Sequence, residues 1–413
     1  AVRVLYRGMP NRDCGPDYRG AVLSLGWGRP RTGDIELHVR SRHWRMHGHD
    51  RDPRYDGVIL HVVWQDDDPN PTILHSGRHA PVLALSRFIA SAGTVSPVPE
   101  PCGRSPGLDL SCLEQTLDRA GEARFLGRAA RMEGDMAAAP AQEVLYQSLA
   151  EAMGYSRNKT PFRRLATVLP LGILEGFLWG RPPELREEVA RALLMGTAGL
   201  LPSQTSRPAP RGLTGPVEEV WRSCFVKPQL DHQEWYFGVR AENHPVRRVA
   251  ALASVVAATL KEGLVSWALE AVGTRTSEPE RDREPGTSVA EPATRGRASF
   301  PVPRSLFRGL VGPDRALEIM ANVLLPFVYS YGQAMGEEWR SEAALERYAL
   351  LPSPASNQVT RHMMLQILGS ASPAIAGTAR RQQGMLHLFH SYCTRARCTE
   401  CGLSCRGEGP QNV

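Results

Sequence analysis

Residues Cys14 to Trp64 read CGPDYRGAVLSLGWGRPRTGDIELHVRSRHWRMHGHDRDPRYDGVILHVVW, and three short runs inside them decide the fold. Ala21 to Trp27, Asp34 to Arg40 and Val58 to Trp64 are aliphatic or β-branched runs bounded by Gly, Pro and Asp, the pattern of strands in a small sheet. Alternation along the second run predicts a core face of Ile35, Leu37 and Val39, and a polar face of Asp34, Glu36, His38 and Arg40. In the third run His61 shares a face with Ile59 and Val63, which predicts a hydrogen-bonded core histidine.

The same stretch is dense in groups that bind metals and move protons. A hard divalent cation needs clustered oxygen ligands, and it acidifies bound water and neutralises phosphoryl charge. Asp17, Glu36 and His38 supply two carboxylates and a base. A hairpin turning at Gly28 to Gly33 would leave Asp17 roughly 20 Å from Glu36, at about 3.3 Å per residue. A bend near Gly20, or a turn at Gly26, would bring them together, and Asp34 is the fallback partner. A second grouping is the loop of His43, His47, His49, Asp50, Asp52 and Tyr55. His47, His49 and Asp52 suit a transition metal, while His49 or Tyr55 could instead contact a scissile phosphate beside Glu36.

The rest of the chain changes period. Ala80 to Ala92 reads as a helix and Ser91 to Gly107 as a Pro/Gly/Ser-rich linker. Beyond Leu108, leucine and alanine recur every three or four residues, over Leu113–Met132, Gln142–Gly154, Pro183–Leu200, Val246–Ala271, Arg315–Met335 and Ser341–Ala349. The charged, Pro-rich segment Thr274 to Ser299 reads as a disordered loop. The expectation is an α+β protein with a small N-terminal mixed β-sheet core over residues 1–90, a linker over 91–107, a large all-α region over 108–390 and a Cys-rich tail over 391–413.

Of the 413 residues 49 are Lys or Arg, and the net charge is +6 with a pI near 9.0, which permits a polyanionic partner. Lys159, Lys227 and Lys261 are the only lysines, so the positive charge is almost all arginine, which grips phosphate bidentately or simply reflects codon bias. No run of eighteen apolar residues and no leader pattern occurs, so a cytoplasmic protein without a membrane span is expected. The chain begins at Ala1 as if in mid-strand, which leaves room for an upstream segment.

Two helix starts carry basic residues. One gathers Arg157, Lys159, Arg163 and Arg164. The other places Asn243 as N-cap ahead of Arg247 and Arg248. Cations in a first turn oppose the helix dipole, so phosphate or an acidic side chain should compensate them. These seven residues are the candidate nucleic-acid contacts. In the tail, Cys393, Cys398, Cys401 and Cys405 form a C-x4-C-x2-C-x3-C array that suits a Zn2+ knuckle or a [4Fe–4S] cluster.

The runs GPDYRGAV, GDIELHVRSRHW, HGHDRDPRYDGVILHVVW, GYSRNKTPFRRLA and NHPVRR, with the cysteine tail, resemble a bacterial family catalogued as domain of unknown function 2851 over essentially the whole chain. Pro16-Asp17 followed by Glu36-Leu37-His38 on a strand is more distantly similar to the PD-(D/E)XK nuclease superfamily. That resemblance implies a nuclease-like core, with Asp17, Glu36 and the Leu37 carbonyl binding Mg2+ or Mn2+, and His38 standing where the superfamily has Lys. Two functions follow: a metal-dependent nuclease, or a noncatalytic nucleic-acid-binding or assembly protein built on a decayed nuclease-like core.

Overall fold

The structure is a computed structural model that describes residues 2–11, 14–26, 29–89, 110–206, 210, 216–224, 226–273, 307, 309–368 and 373–403. The linker at 91–107, the segment 274–299 and Cys405 lie outside the described residues.

The N-terminal strands are β1 (Val2–Tyr6), β2 (Met9–Pro10), β3 (Tyr18–Leu25), β4 (Arg31–Arg40), β5 (Val58–Gln65), β6 (Thr72–Ile73), β7 (His79–Ala80) and β8 (Val82–Ala84). Six of them form a mixed sheet in the order β1-β3-β4-β5-β8, with β2 also on β3, while β6 and β7 pair separately. The β1–β3–β4 pairs are antiparallel and the β4–β5–β8 pairs parallel. Parallel neighbours need a crossover connection. Between β4 and β5 this is the segment after Arg40, with the short helix α1 (His43–Met46) and 3-10 turns at His49–Arg51 and Pro53–Tyr55.

Two details of the sheet differ from the sequence expectation. The β3–β4 hairpin turns between Leu25 and Arg31, earlier than Gly28 to Gly33, and its register slips between Tyr18 and Ala21. Gly20 takes φ +66° at the slip, and its amide donates to Asp34 Oδ1 at 3.0 Å. Asp34 therefore stitches the bulge and is not a partner for Glu36. The faces of β4 also differ. Leu37 and Val39 are 43% and 62% exposed, whereas Glu36 is buried beneath the crossover. The polar side of β4 is its covered side beyond Ile35.

Ala80 to Ala92 is not one helix: β7 and β8 precede a short α2 (Ser86–Ile89). The helices that follow are α3 (Leu110–Met136), α4 (Ala141–Met153), α5 (Lys159–Val168), α6 (Leu171–Leu178), α7 (Pro183–Thr197), α8 (Val217–Ser223), α9 (Pro245–Thr259), α10 (Leu264–Ala271), α11 (Pro313–Ile319), α12 (Leu325–Met335), α13 (Glu338–Leu350), α14 (Gln358–Leu368) and α15 (Ala379–Ser391). Val246 to Ala271 breaks at Gly263, where φ is +83°, and the axis bends by 97°. A π-helical turn, Met320–Leu324, joins α11 to α12. Among the described residues no single helix is long and apolar enough to cross a membrane.

The chain divides into two compact units. One comprises Ala1–Gly121, Ser356–Ala376 and Arg381–Val413, and the other Glu122–Ala355 and Gly377–Arg380. The first buries Ala21, Leu23, Ile35, Ile59 and Leu60 within the sheet. Tyr6 and Val22 also pack with Leu117, Met363, Met385 and Phe389. The second is a helical core that includes Phe125, Leu149, Phe162, Leu193, Val256 and Phe327.

Candidate metal centre

The crossover is pinned to the sheet by Trp44. Its ring is 1% exposed, its Nε1 donates to the Ile73 carbonyl at 2.9 Å, and it packs with Tyr55, Val58, Leu74 and Ala80. Trp44 also lies against the rings of His49 and His61, with centroids 5.4 and 5.2 Å away. The histidines on both sides of it are thereby held over β4.

The bulge at Gly20 brings Asp17 beside Glu36. The Asp17 amide donates to Glu36 Oε2 at 3.0 Å, and Asp17 Oδ2 accepts from the Leu37 amide at 2.9 Å. Glu36 Oε1 faces His38 Nε2 at 3.5 Å and His49 Nε2 at 3.4 Å. His38 Nε2 in turn lies 3.1 Å from His47 Nδ1. Among the described residues, His38, His47 and His49 are the one grouping of three whose ligand atoms all lie within 4.8 Å.

A second layer orients these groups. His38 Nδ1 lies 2.9 Å from His61 Nε2, and His61 Nδ1 lies 2.9 Å from Thr72 Oγ1. If Thr72 accepts from His61 and His61 accepts from His38, the Nε2 lone pair of His38 is directed at the cluster, the tautomer a metal ligand needs. His61 is fully buried, as expected of a core histidine, and it pairs with Glu36 in the β4–β5 register. Its bond to His38 was not legible in the sequence, because lateral register is not written in the spacing of one run. Tyr55, a candidate phosphate contact, is buried with its ring stacked on His49 at 3.8 Å. Asp52 faces Arg54 and caps the turn Pro53–Tyr55, so it is spent outside the cluster.

Burial shifts Glu36, His38, His49 and His61 toward their neutral forms. Burial, with the Asp17 charge beside it, raises Glu36 to about 7, against the pull of its bond from the Asp17 amide. Burial and the surrounding histidines His61, His49, His47 and His43 lower His38 to about 3. Burial lowers His61 to about 4, and burial with His47 lowers His49 while Asp52, Asp17 and Asp50 oppose. Neutral histidines make the 3.5 Å contact of His38 with Glu36 something other than an ion pair. Neutral imidazole is the form that ligates metal.

The donor set can be tested against the two kinds of ion. Bonds of 2.0 to 2.1 Å in a tetrahedral site place ligand atoms about 3.3–3.4 Å apart. Three of the six spacings such a set requires lie near this value, His38–His47 at 3.1 Å, His49–Glu36 at 3.4 Å and His38–Glu36 at 3.5 Å. Three imidazoles and one carboxylate suit Zn2+, Mn2+ or Fe2+, whereas Mg2+ prefers oxygen.

The helical basic residues sit elsewhere, and nearly all have partners within the protein. Arg163 pairs with Glu151 at 3.1 Å and Arg164 with Glu234 at 2.6 Å. Arg157 lies over the Tyr236 ring at 5.3 Å. Arg247 donates to the carbonyls of Leu310 and Gly309. Arg248 is buried and donates to Asn243 Oδ1 at 2.6 Å. Asn243 is not the N-cap of α9, a place that falls to His244, ahead of Pro245 in the first turn. Lys159, at the start of α5, is exposed.

Cys393 and Cys398 open successive 3-10 turns, Cys393–Arg395 and Cys398–Glu400, and Cys401 follows, buried. Cys393 Sγ lies 3.9 Å from Met363 Sδ.

A family model described as "Protein of unknown function (DUF2851)" matches residues 1–278, a span that contains the whole histidine cluster and ends before the cysteine tail. No curated protein and no solved structure matches the chain.

Proposed function

Because the chain belongs to the DUF2851 family, whose description names no activity, its function must be read from the site, and we propose a metal-dependent nuclease that hydrolyses phosphodiester bonds of nucleic acid. The observation that carries this reading is the convergence of His38, His47 and His49, whose ligand atoms all lie within 4.8 Å, with Glu36 Oε1 at 3.5 and 3.4 Å from Nε2 of His38 and His49. Support for a nuclease comes from Asp17, just before β3, lying beside Glu36-Leu37-His38 of the paired strand β4, as the resemblance to the PD-(D/E)XK superfamily implies.

In this proposal Glu36, His38, His47 and His49 hold Mn2+, Zn2+ or Fe2+ in preference to the Mg2+ of the superfamily. A cation held there would need a coordination position beyond these four protein ligands for a water, which it would acidify while neutralising charge on the phosphoryl group. His38 is a ligand and not the general base, since a base whose conjugate acid has a pKa of about 3 is too weak at neutral pH. Asp17, anchored by the Leu37 amide, takes the role of carboxylate base. His61 and Tyr55 are positioning residues that hold the rings of His38 and His49. A structural Zn2+ or [4Fe–4S] site on Cys393, Cys398, Cys401 and Cys405 rests on their spacing alone, since the three described cysteines form no grouping of ligand atoms within 4.8 Å.

The noncatalytic alternative is favoured by one observation: a neutral His38 leaves the site without the permanent cation that superfamily members place beside the phosphate. Cleavage of plasmid and single-stranded DNA and of RNA, with Mn2+ or Mg2+, separates the two readings. We expect Mn2+-supported cleavage by the parent and a loss of about 100-fold or more in Glu36→Gln. A parent that binds nucleic acid and metal yet never cleaves would establish the noncatalytic protein, and a folded Glu36→Gln that cleaves like the parent would refute the mechanism.

A further inference from the structure

Among the described residues the helical unit buries guanidinium groups that no carboxylate pairs with, those of Arg128 and Arg248. Arg128 on α3, Arg315 on α11 and Lys159 at the start of α5 line a cavity of about 80 Å3, together with Arg131, Glu151 and Glu318. Of the two acids, Glu318 pairs with Arg315 and Glu151 with Arg163. Arg128 has a single hydrogen bond among the described residues, to the Asn322 carbonyl at 3.3 Å.

Arg248 of α9 is 2% exposed and adds its charge to that of Arg315. Arg315 Nε, and Nε and Nη1 of Arg248, are buried without hydrogen-bond partners among the described residues. Buried guanidinium groups are ordinarily paired. Burial, with Arg124 and Arg131 beside it, lowers Arg128 to about 10. Burial, with Arg315 and Arg247 nearby, does the same to Arg248.

The cavity adjoins a second depression. A groove of about 550 Å3 shares Glu151 and Lys159 with it and is otherwise lined by Thr160, Arg163, Arg164 and Thr167. Tyr155, in the turn before α5, takes φ +53° and lies under the Arg315 guanidinium at 4.8 Å. A non-glycine residue in the left-handed region is a strained placement of the kind that collects at ligand sites.

We infer that this cavity binds the phosphoryl group of a small phosphomonoester, with Arg128, Arg315 and Lys159 around the phosphate and the body of the ligand in the adjoining groove. A phosphomonoester carries close to two negative charges and three acceptor oxygens, which two guanidinium groups and an ammonium can share. The inner cavity is too small for more than such a group, and the groove falls in the size range of small-molecule sites. All the residues belong to the helical unit, so the inference is independent of the metal centre.

The test is titration calorimetry of the full chain with inorganic phosphate, adenosine monophosphate and adenosine, in chloride buffer of constant ionic strength. One phosphate or nucleotide should bind per chain, with adenosine not binding. Arg128→Gln and Lys159→Gln should each weaken binding about tenfold or more, and circular dichroism and melting temperature report whether each variant is folded. Tighter binding of the monophosphate than of phosphate identifies a ligand with a body in the groove, and equal binding identifies free phosphate. Lys159 is exposed, so its replacement leaves the core intact and keeps the test decisive. No binding by the parent, or binding unchanged in both folded variants, overturns the inference.

Discussion

Glu36 serves the fold and the chemistry with different oxygens. Oε2 accepts the Asp17 amide and fixes the start of β3 against β4, while Oε1 faces His38 and His49. Glu36→Gln retains an acceptor for that amide and should melt close to the parent. Glu36→Ala leaves the half-buried amide without this partner and should cost about 1 kcal/mol. Both should lose divalent-metal binding, which urea denaturation and metal analysis would separate from the stability change. His61 tests the layer behind the ligands. In His61→Leu all four proposed ligands remain but His38 Nδ1 loses its partner, so metal affinity measured by chelator competition should fall about 10–100-fold. An unchanged affinity would show that His61 is core alone. Of these residues, Asp17, Glu36, His38 and His49 were legible as site candidates because carboxylate and imidazole chemistry is visible in single letters. The His38–His61 bond was not, because it depends on which residues two strands set side by side.

At the scale of elements, the crossover between β4 and β5 explains the face that sequence alternation misassigned. Period two shows that Glu36 and His38 share a side, but not that α1 and its turns cover that side. Trp44 does the covering, and its polar neighbours follow it into the interior. Strands β3, β4 and β5 and the longer helices were legible from period, while β7 and β8 lay where a helix was expected and the break at Gly263 was hidden inside a continuous apolar stripe. The packing of β1 against α14 and α15 yields a pH prediction. His362 is 5% exposed, lies edge-on to Tyr6 and Phe389, and has a buried Nε2 without a partner among the described residues. Burial, helped by Arg7, lowers it from 6.5 to about 4. Between these values the unfolded chain binds a proton that the folded chain refuses, so stability rises with pH across this window and is lost as pH falls through it. The slope from this one group is at most about 1.4 kcal/mol per pH unit. Denaturation of parent and His362→Phe at pH 4.5 and 6.5 should show a smaller loss on acidification in the variant, and equal losses would contradict the assignment.

For the whole molecule, an α+β organisation with an N-terminal mixed sheet and a mostly helical remainder was legible from the switch of period. The division into units was not, since residues from the C-terminal third return to the sheet unit. Such returns depend on long-range packing that no local pattern records. The arginine excess proved equally indirect. Arg163, Arg164 and Arg247 are engaged within the protein, and the buried guanidinium groups without an ion pair among the described residues are those of Arg128 and Arg248 in the helical unit. The central claim remains the donor set of Glu36, His38, His47 and His49. Mn2+ favours imidazole and carboxylate over thiolate, so it reports on this set and not on the cysteine tail. The direct measurement is calorimetric titration of metal-stripped protein with Mn2+, for the parent and for folded His49→Ala. We predict one Mn2+ per chain in the parent and a loss of at least about tenfold in affinity in the variant; a parent that binds no Mn2+, or a variant that binds it as tightly as the parent, would contradict the account.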